Sequence, residues 1–322
     1  MTKKPRLPLY EILLERGLAK DEREACSLIL QGKVYVEGVK ESGVRRRVSP
    51  DVDIEVTPEE CPYVSRGGLK LQRFLHGLGS LAKKIEGRVC LDVGAGTGGF
   101  TEVLLEFGAS RVYAVDVGKG ILHPRLSKDP RVIVVEGVNA KQLSHEIIPQ
   151  KIDHFTLDVS FISGASLLPK IRPLLSERNE SNDWDGIFLI KPQFERELDP
   201  LDERRGEFRG GVVRSKALML KTLKRVYALI YKSGFVLMQI TLAEPRGAKG
   251  NYEFFALLKR SAGDNASTAK KERCESWDKS KQGFELVGAD LTGDAMQTGN
   301  RVLNEEEFAR VVERIVGELN LD

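Results

Sequence analysis

The sequence predicts an α/β fold: a mostly parallel, seven-stranded sheet covered by helices on both faces, with a small α+β unit in front of it. Three observations predict it. Short apolar runs alternate with stretches of helical period from residue 89 to residue 258, the pattern of parallel strands joined by crossover helices. Val89-Cys90-Leu91-Asp92-Val93-Gly94-Ala95-Gly96-Thr97-Gly98-Gly99-Phe100 passes from an apolar segment through a loop of small residues into an amphipathic one, which reads as strand, tight turn and helix. Residues 7–56 form a compact pattern of their own, two helical stretches followed by short strands.

In that first unit Leu9, Ile12, Leu13 and Leu14 fall at helical spacing before Gly17, and Ala25, Leu28, Ile29 and Leu30 mark a second helix ended by Gly32. Val34-Tyr35-Val36 and Ile54-Glu55-Val56 read as strands, joined through Gly38 and the run Arg45-Arg46-Arg47. Residues 1–50 carry a net charge of +4, and Asp51, Asp53, Glu55, Glu59 and Glu60 then reverse the sign. An arginine triplet fits a solvated loop as well as an anion contact.

Pro62 opposes continuation of any element and places a linker at 61–62. Beyond it, Leu71, Phe74, Leu75 and Leu78 share one face of a helix, with Lys70 off that face. After the glycine-rich loop, strands are expected at 111–116, 132–135, 155–158, 186–191, 234–241 and 252–258. Helices are expected near Lys141, over 165–175, where Pro169 and Pro173 oppose one, and over 216–231. Residues 261–300 turn polar and aperiodic and read as a flexible insertion. Phe308, Val311, Val312, Ile315, Val316 and Leu319 then repeat at helical spacing, with Asn304 as N-cap and Glu305, Glu306 and Glu307 in the first turn. This terminal helix is expected to dock on the sheet.

A chain of 322 residues that is 41% hydrophobic suggests about two domains, at least one with a packed core. Fifty basic residues nearly balance 47 acidic ones, so a polyanion partner would be attracted by local patches. Cys26, Cys61, Cys90 and Cys274 form no paired motif and do not cluster with the four histidines, so neither a metal site nor a disulfide framework is expected. The N-terminus leads into no apolar h-region and no run of about 18 apolar residues occurs, so a cytoplasmic protein without a membrane span is expected.

Ligands of parallel α/β sheets sit outside the carboxyl ends of the strands, which makes polar residues at those ends the first candidates. Gly94, Ala95, Gly96, Thr97 and Gly98 form a turn whose backbone admits a nucleotide-like cofactor, Asp92 would orient it, and Asp116 ends the next strand where a ribose-binding carboxylate is expected. Gly94, Gly96 and Gly99 also satisfy the dinucleotide-binding pattern, so this loop fits NAD as well as S-adenosylmethionine. Asp158 and Lys191 end their strands, Glu253 begins the last one, and Lys70 precedes the glycine loop. Each alone fits a surface charge or a structural ion pair. Together, two lysines and two carboxylates beside a cofactor loop fit proton transfer.

The order Leu7, Leu13-Leu14, Arg16-Gly17-Leu18-Ala19, Arg23-Glu24, Leu28-Ile29 and Gly32-Lys33-Val34-Tyr35-Val36-Glu37-Gly38 resembles the S4 RNA-binding domain. The resemblance implies a structured-RNA binder with Arg23, Lys33, Arg45, Arg46 and Arg47 as phosphate contacts. The words SRGGLKL, LDVGAGTGGF, VDVGKG, LDVSFIS, IKPQFE, GGVVR and GNYEF resemble the TlyA (haemolysin A) family, and Lys70, Asp158, Lys191 and Glu253 resemble the tetrad of FtsJ-type ribose 2′-O-methyltransferases. What this implies is an S4 domain over 1–60 and a Rossmann-like, S-adenosylmethionine-dependent methyltransferase domain over 63–260. The 261–300 insertion follows, and a helix within 301–322 packs on the methyltransferase domain. The implied activity is methylation of ribosomal RNA at a cytidine ribose, with ribosomal RNA or ribosomal subunits as partner.

On that resemblance Lys191 is the base, Lys70 its cationic neighbour, and Asp158 and Glu253 orient the lysines and the ribose. A second cation would lower the Lys191 pKa and a carboxylate would raise it, which leaves the sign open at this stage. The cofactor set is Asp92, Gly94, Ala95, Gly96, Thr97, Gly98, Asp116 and Asp158, with Asn139 near the adenine. Arg66, Arg205, Arg209 and Arg214, with Arg204, are further RNA contacts, although Glu203 and Glu207 fit a solvated mixed-charge loop equally well.

Three other functions remain to be weighed. An NAD-dependent dehydrogenase matches the glycine loop but neither the N-terminal unit nor the tetrad. A non-catalytic RNA-binding or ribosome assembly factor would keep the fold and lose the chemistry. A haemolysin, suggested by the family's name, would want a signal peptide, a membrane span or a strongly amphipathic basic helix, and the sequence displays none of them.

Overall fold

The computed structural model describes residues 5–30, 32–41, 43–57, 62–177, 184–196, 204–261, 302–319 and 321. The expected flexible insertion, all but its first residue, and Cys61 of the expected linker lie outside the described residues.

The N-terminal unit runs β1 (Leu7–Pro8), α1 (Leu9–Glu15), α2 (Glu22–Leu30), β2 (Val34–Val36), β3 (Val39–Lys40), β4 (Arg47–Val48) and β5 (Ile54–Val56). Antiparallel β3 and β5 flank β2, and β4, which carries the last arginine of the triplet, pairs with β1. Leu9, Ile12, Leu13, Ala25 and Ile29 pack against Val34, Val36, Val48 and Ile54. Side chains alternate across a strand, so Tyr35 points the other way and enters the core of the larger unit beside Tyr63 and Leu71.

The larger unit continues with α3 (Arg66–Leu78), β6 (Val89–Val93), α4 (Gly99–Glu106), β7 (Arg111–Asp116), α5 (Pro124–Ser127), β8 (Val132–Glu136), β9 (His154–Leu157), α6 (Leu168–Ile171), β10 (Gly186–Ile190) and α7 (Pro192–Glu195). A two-strand hairpin, β11 (Phe208–Arg209) and β12 (Val212–Val213), precedes α8 (Lys216–Lys232), β13 (Phe235–Leu242), β14 (Phe254–Arg260) and α9 (Glu305–Gly317). The seven-stranded sheet has the order β13-β14-β10-β9-β6-β7-β8. Strands β10, β9, β6, β7 and β8 are parallel, whereas β14 lies antiparallel to β10 and β13 antiparallel to β14.

Each face of the sheet buries its own apolar layer. Leu71, Phe74, Phe100, Val103 and Leu104 from α3 and α4 cover one side. Leu168, Ile171, Leu223, Val226, Phe308, Val312 and Val316 cover the other. At the terminal helix Asn304 and Glu307 close a reciprocal capping box, Phe308 stacks on Tyr227 at 4.4 Å, and the Leu303 N–H donates to Leu237 O at 2.8 Å.

Local differences from the sequence reading have local causes. The helix expected over 165–175 breaks into a 3₁₀ turn, the short α6 and a second 3₁₀ turn, because Pro169 and Pro173 cannot donate to the preceding turn. Around Lys141 there is a single 3₁₀ turn, Ala140–Gln142. Glu253 stands one residue before β14, and Lys191 one residue after β10. Strand order reverses between β6 and β9, and such a reversal opens a crevice at the carboxyl ends of the strands.

Candidate active site

At the end of β6 the chain turns through Gly94 at φ 85°. A Cβ there would lie 2.1 Å from the Asp158 carbonyl oxygen, so only glycine lets the loop press against the end of β9. The N–H groups of Gly94 and Ala95 donate to Val115 O at 2.8 and 3.0 Å, and Gly98 caps α4. Asp116 accepts from the Gly96 N–H on one oxygen and from the Gly118 N–H on the other, both at 2.8 Å. Its carboxylate thereby ties the glycine loop to the loop after β7. Nothing comes closer than 4.0 Å to a Cβ built on Gly96, so that side of the loop is open.

Asn139 is brought to the same place because the adjacent Val138 N–H donates to Asp116 O at 3.0 Å. It is exposed, and its side-chain carbonyl caps the next turn by accepting from the Lys141 N–H. Asp92, expected among the cofactor-binding residues, lies beneath the loop with no exposed surface. Its two oxygens accept from the Thr101 and Thr156 hydroxyls at 2.7 and 2.9 Å. Burial pushes its carboxyl up to about 6 in spite of those bonds. Asp92 therefore shapes the loop from below rather than touching a ligand.

The four charged residues meet at the carboxyl ends of β9 and β10. Lys191 Nζ lies 2.5 Å from Asp158 Oδ1 and donates to the Ser160 hydroxyl at 3.2 Å. Lys70 Nζ donates to Glu253 Oε2 at 2.6 Å. Lys70 was expected off the apolar face of its helix, but the structure buries it, because the Glu253 carboxylate waits inside to receive it. Gly247 leaves room for that carboxylate: a Cβ there would fall 2.1 Å from Glu253 Oε1. Burial pushes the Lys191 amine down, but Asp158 and Glu253 outweigh it and hold the pKa above the ordinary lysine value. Burial likewise pushes Glu253 up, and Lys70 and Lys191 more than reverse that. The two carboxylates thus decide the sign left open by the sequence, in favour of the ammonium form of Lys191.

Three neighbours escaped the sequence reading. Ser160 orients the Lys191 amine. Phe161 is a non-glycine residue at φ 68°, 88% exposed, with its ring 5.2 Å from that of Phe194. A left-handed backbone and a bare aromatic ring both cost free energy, and here they coincide one residue after Ser160, the partner of Lys191. Glu195 is buried and accepts from the Ser163 hydroxyl at 2.5 Å and the Ala165 N–H at 3.2 Å, which fixes the loop that carries Phe161. The words LDVSFIS and IKPQFE contain all of these residues, but neither reveals which side chain faces out.

Among the expected RNA contacts, Arg66 needs correcting. It is 4% exposed, pairs with Glu55 of β5 and lies 5.5 Å from the Tyr35 ring centroid, so it joins the two units instead of facing RNA. Arg23, Arg45, Arg46 and Arg47 are exposed, although Arg46 pairs with Glu41 and Arg47 donates to Arg6 O. Lys33 is half-buried, and Arg204, Arg205, Arg209 and Arg214 are exposed on and beside the β11–β12 hairpin.

Residues 63–260 match the model of the FtsJ-like methyltransferase family. The chain is 38% identical over 250 residues to Hemolysin A of Brachyspira hyodysenteriae, covering 77% of this chain and 98% of that protein. It is 38% identical over 259 residues to the 16S/23S rRNA (cytidine-2′-O)-methyltransferase TlyA of Mycobacterium tuberculosis, covering 80% and 91%. Among solved structures, a hemolysin from Streptococcus thermophilus superposes with a TM-score of 0.60 at 30% identity, covering 80% of this chain and 90% of the other. With the sheet order, the glycine loop and the four charged residues in place beneath that match, the chain belongs to the FtsJ-like methyltransferase family.

Proposed function

We propose that this protein transfers a methyl group from S-adenosylmethionine to the 2′-hydroxyl of a cytidine ribose in ribosomal RNA. The observation that carries the reading is the Lys191–Asp158 pair at the carboxyl ends of β10 and β9, next to the switch point of the sheet, with the Lys70–Glu253 pair beside it. The family membership favours S-adenosylmethionine over NAD, and the relative of known name acts on 16S and 23S rRNA.

The residues fit the cofactor. The open side of Gly96 gives it a cradle, Asp116 offers acceptor lone pairs for ribose hydroxyls, and Asn139 stands beside Asp116 for the base. When bound, S-adenosylmethionine supplies an electrophilic methyl group on a sulfonium. This chain's residues supply position and proton transfer. Asp158 and Glu253 hold the two lysines, Lys191 faces the hydroxyl, and the Phe161–Phe194 pair offers a stacking surface for a base. Lys191 must shed its proton before it can accept another, and a second cation bound nearby favours that loss. The Lys191 amine would then accept the ribose proton as the hydroxyl oxygen bonds to the methyl carbon and the S–CH3 bond breaks, its electron pair left on a neutral thioether.

Residues 1–60 serve in this reading as the RNA-binding unit, through Arg23, Lys33 and the arginine triplet, with 61–62 as linker and 63–260 as the catalytic domain. Among the described residues no helix is long and apolar enough to cross a membrane. The test is methyl transfer from labelled S-adenosylmethionine to ribosomal RNA, with the modified nucleoside identified by digestion. Retained RNA binding without transfer would favour an assembly factor instead.

A further inference from the structure

Outside the tetrad, the described surface contains a cavity of about 600 Å³ lined by Gly206, Arg209, Gly210, Val212, Arg214 and Lys249. Among the described lining residues three are cations and none is a carboxylate. Two elements build it. The β11–β12 hairpin turns through Gly210 and Gly211, at φ 61° and 85°, positions that leave the turn backbone uncovered by side chains. The second element is the turn 248–250, where Lys249 adopts φ 58°, a costly conformation for a residue with a side chain.

That conformation has a visible effect. Lys249 Nζ donates to Gly210 O at 3.2 Å, and the next side chain but one, Asn251, donates to Gly211 O at 3.0 Å. The hairpin is thereby fastened to the segment that ends in Glu253. Asn251 is buried, so the fastening is part of the fold and not a chance surface contact. A cationic cavity is thus held in fixed relation to one member of the tetrad.

We propose that this cavity holds a backbone phosphate of the RNA strand beside the target nucleotide. The inference rests on the RNA reading above and adds to it Lys249 and a defined place for Arg209 and Arg214. Phosphate suits the site because it presents oxygens to several donors at once, which the guanidinium of arginine meets in a fork and lysine as a point charge. A phosphate anchored here would fix the strand's register without reading its sequence, leaving selection of the base to the surface around Phe161.

The test uses the full chain carrying Arg209→Ala or Lys249→Gly, the latter chosen because glycine accepts the left-handed backbone. Each is expected to raise the KM for ribosomal RNA about tenfold with kcat little changed, and to reduce the dependence of RNA binding on salt by about one counterion. S-adenosylmethionine affinity by calorimetry should stay at the wild-type value, and Arg209→Lys should recover most of the loss. Lys221→Ala, an exposed lysine on α8 outside the cavity, serves as control.

Equal KM and salt slope in wild type and both cavity variants, or an equal loss in the control, would overturn the inference. Tight binding of inorganic pyrophosphate at the cavity without any change in RNA affinity would overturn it too, in favour of a free phosphate compound. If the wild type failed to methylate RNA, the functional reading would fall, and salt-dependent RNA binding by the same variants would still decide the cavity's role.

Discussion

Lys191 Nζ and Asp158 Oδ1 stand 2.5 Å apart at the ends of neighbouring parallel strands. The pair favours the charged lysine: burial opposes the charge, and Asp158 with Glu253 overrides it. A base that rests in its protonated form would make the proposed methyl transfer sensitive to pH, and the consequences can be measured.

Lys191→Ala should lower methyl transfer by about 10²–10⁴-fold, the usual worth of a positioned base, with cofactor affinity by calorimetry unchanged. In wild type, single-turnover rate should climb with pH as Lys191 loses its proton. Asp158→Asn removes the largest upward push on that lysine, so the climb should move to lower pH. Movement to higher pH would remove Lys191 from the role of base.

Lys70 and Glu253 form a buried pair, and removing one partner of such a pair strands the other's charge. Lys70→Ala should destabilise the protein by about 3–5 kcal/mol in urea denaturation. Lys70→Met with Glu253→Leu should recover most of that stability while leaving methyl transfer lost. A single variant as stable as wild type would mean that the pair is hydrated in solution.

Asp92 has a folded pKa of about 6 against an ordinary 3.8. The fold therefore favours the protonated form, and its contribution is full below about pH 4 and lost as pH rises through about 6. Asp92→Asn does not titrate, so the thermal midpoint of wild type minus that of the variant should shrink between pH 4 and pH 7. A constant difference would show that Asp92 keeps an ordinary pKa.

Phe161 offers a bare ring beside the tetrad. Base stacking on an aromatic ring is worth about 1–3 kcal/mol, so Phe161→Ala should raise the KM for RNA by roughly 5- to 150-fold and leave cofactor binding alone. Phe161→Tyr should behave nearly as wild type. If Phe161→Ala instead weakened the cofactor, the ring would belong to the cofactor side of the crevice.

Much of this was legible in the sequence because the informative residues sit in short words at strand ends. Asp116 and Asp158 follow apolar runs, and Lys191 follows the run Ile187-Phe188-Leu189-Ile190, so topology alone sends them to one crevice. What stayed hidden depends on partners far along the chain. Lys70 turns inward because Glu253 receives it, and Arg66 is covered because Glu55 and Tyr35 of the other unit lie against it. Phe161 lies inside the word LDVSFIS with nothing to mark it as exposed, and its left-handed backbone turns the ring out. Lys249 carried no signal at all, since its partner lies on a hairpin some 40 residues earlier.

The decisive measurement is a map of 2′-O-methyl groups in ribosomal RNA incubated with S-adenosylmethionine and either the wild-type protein or Lys191→Ala. The expected result is 2′-O-methylcytidine at discrete positions with the wild type and none above background with the variant. A methyl group on a base, no methyl group at all, or equal modification by both proteins would contradict ribose methylation through Lys191.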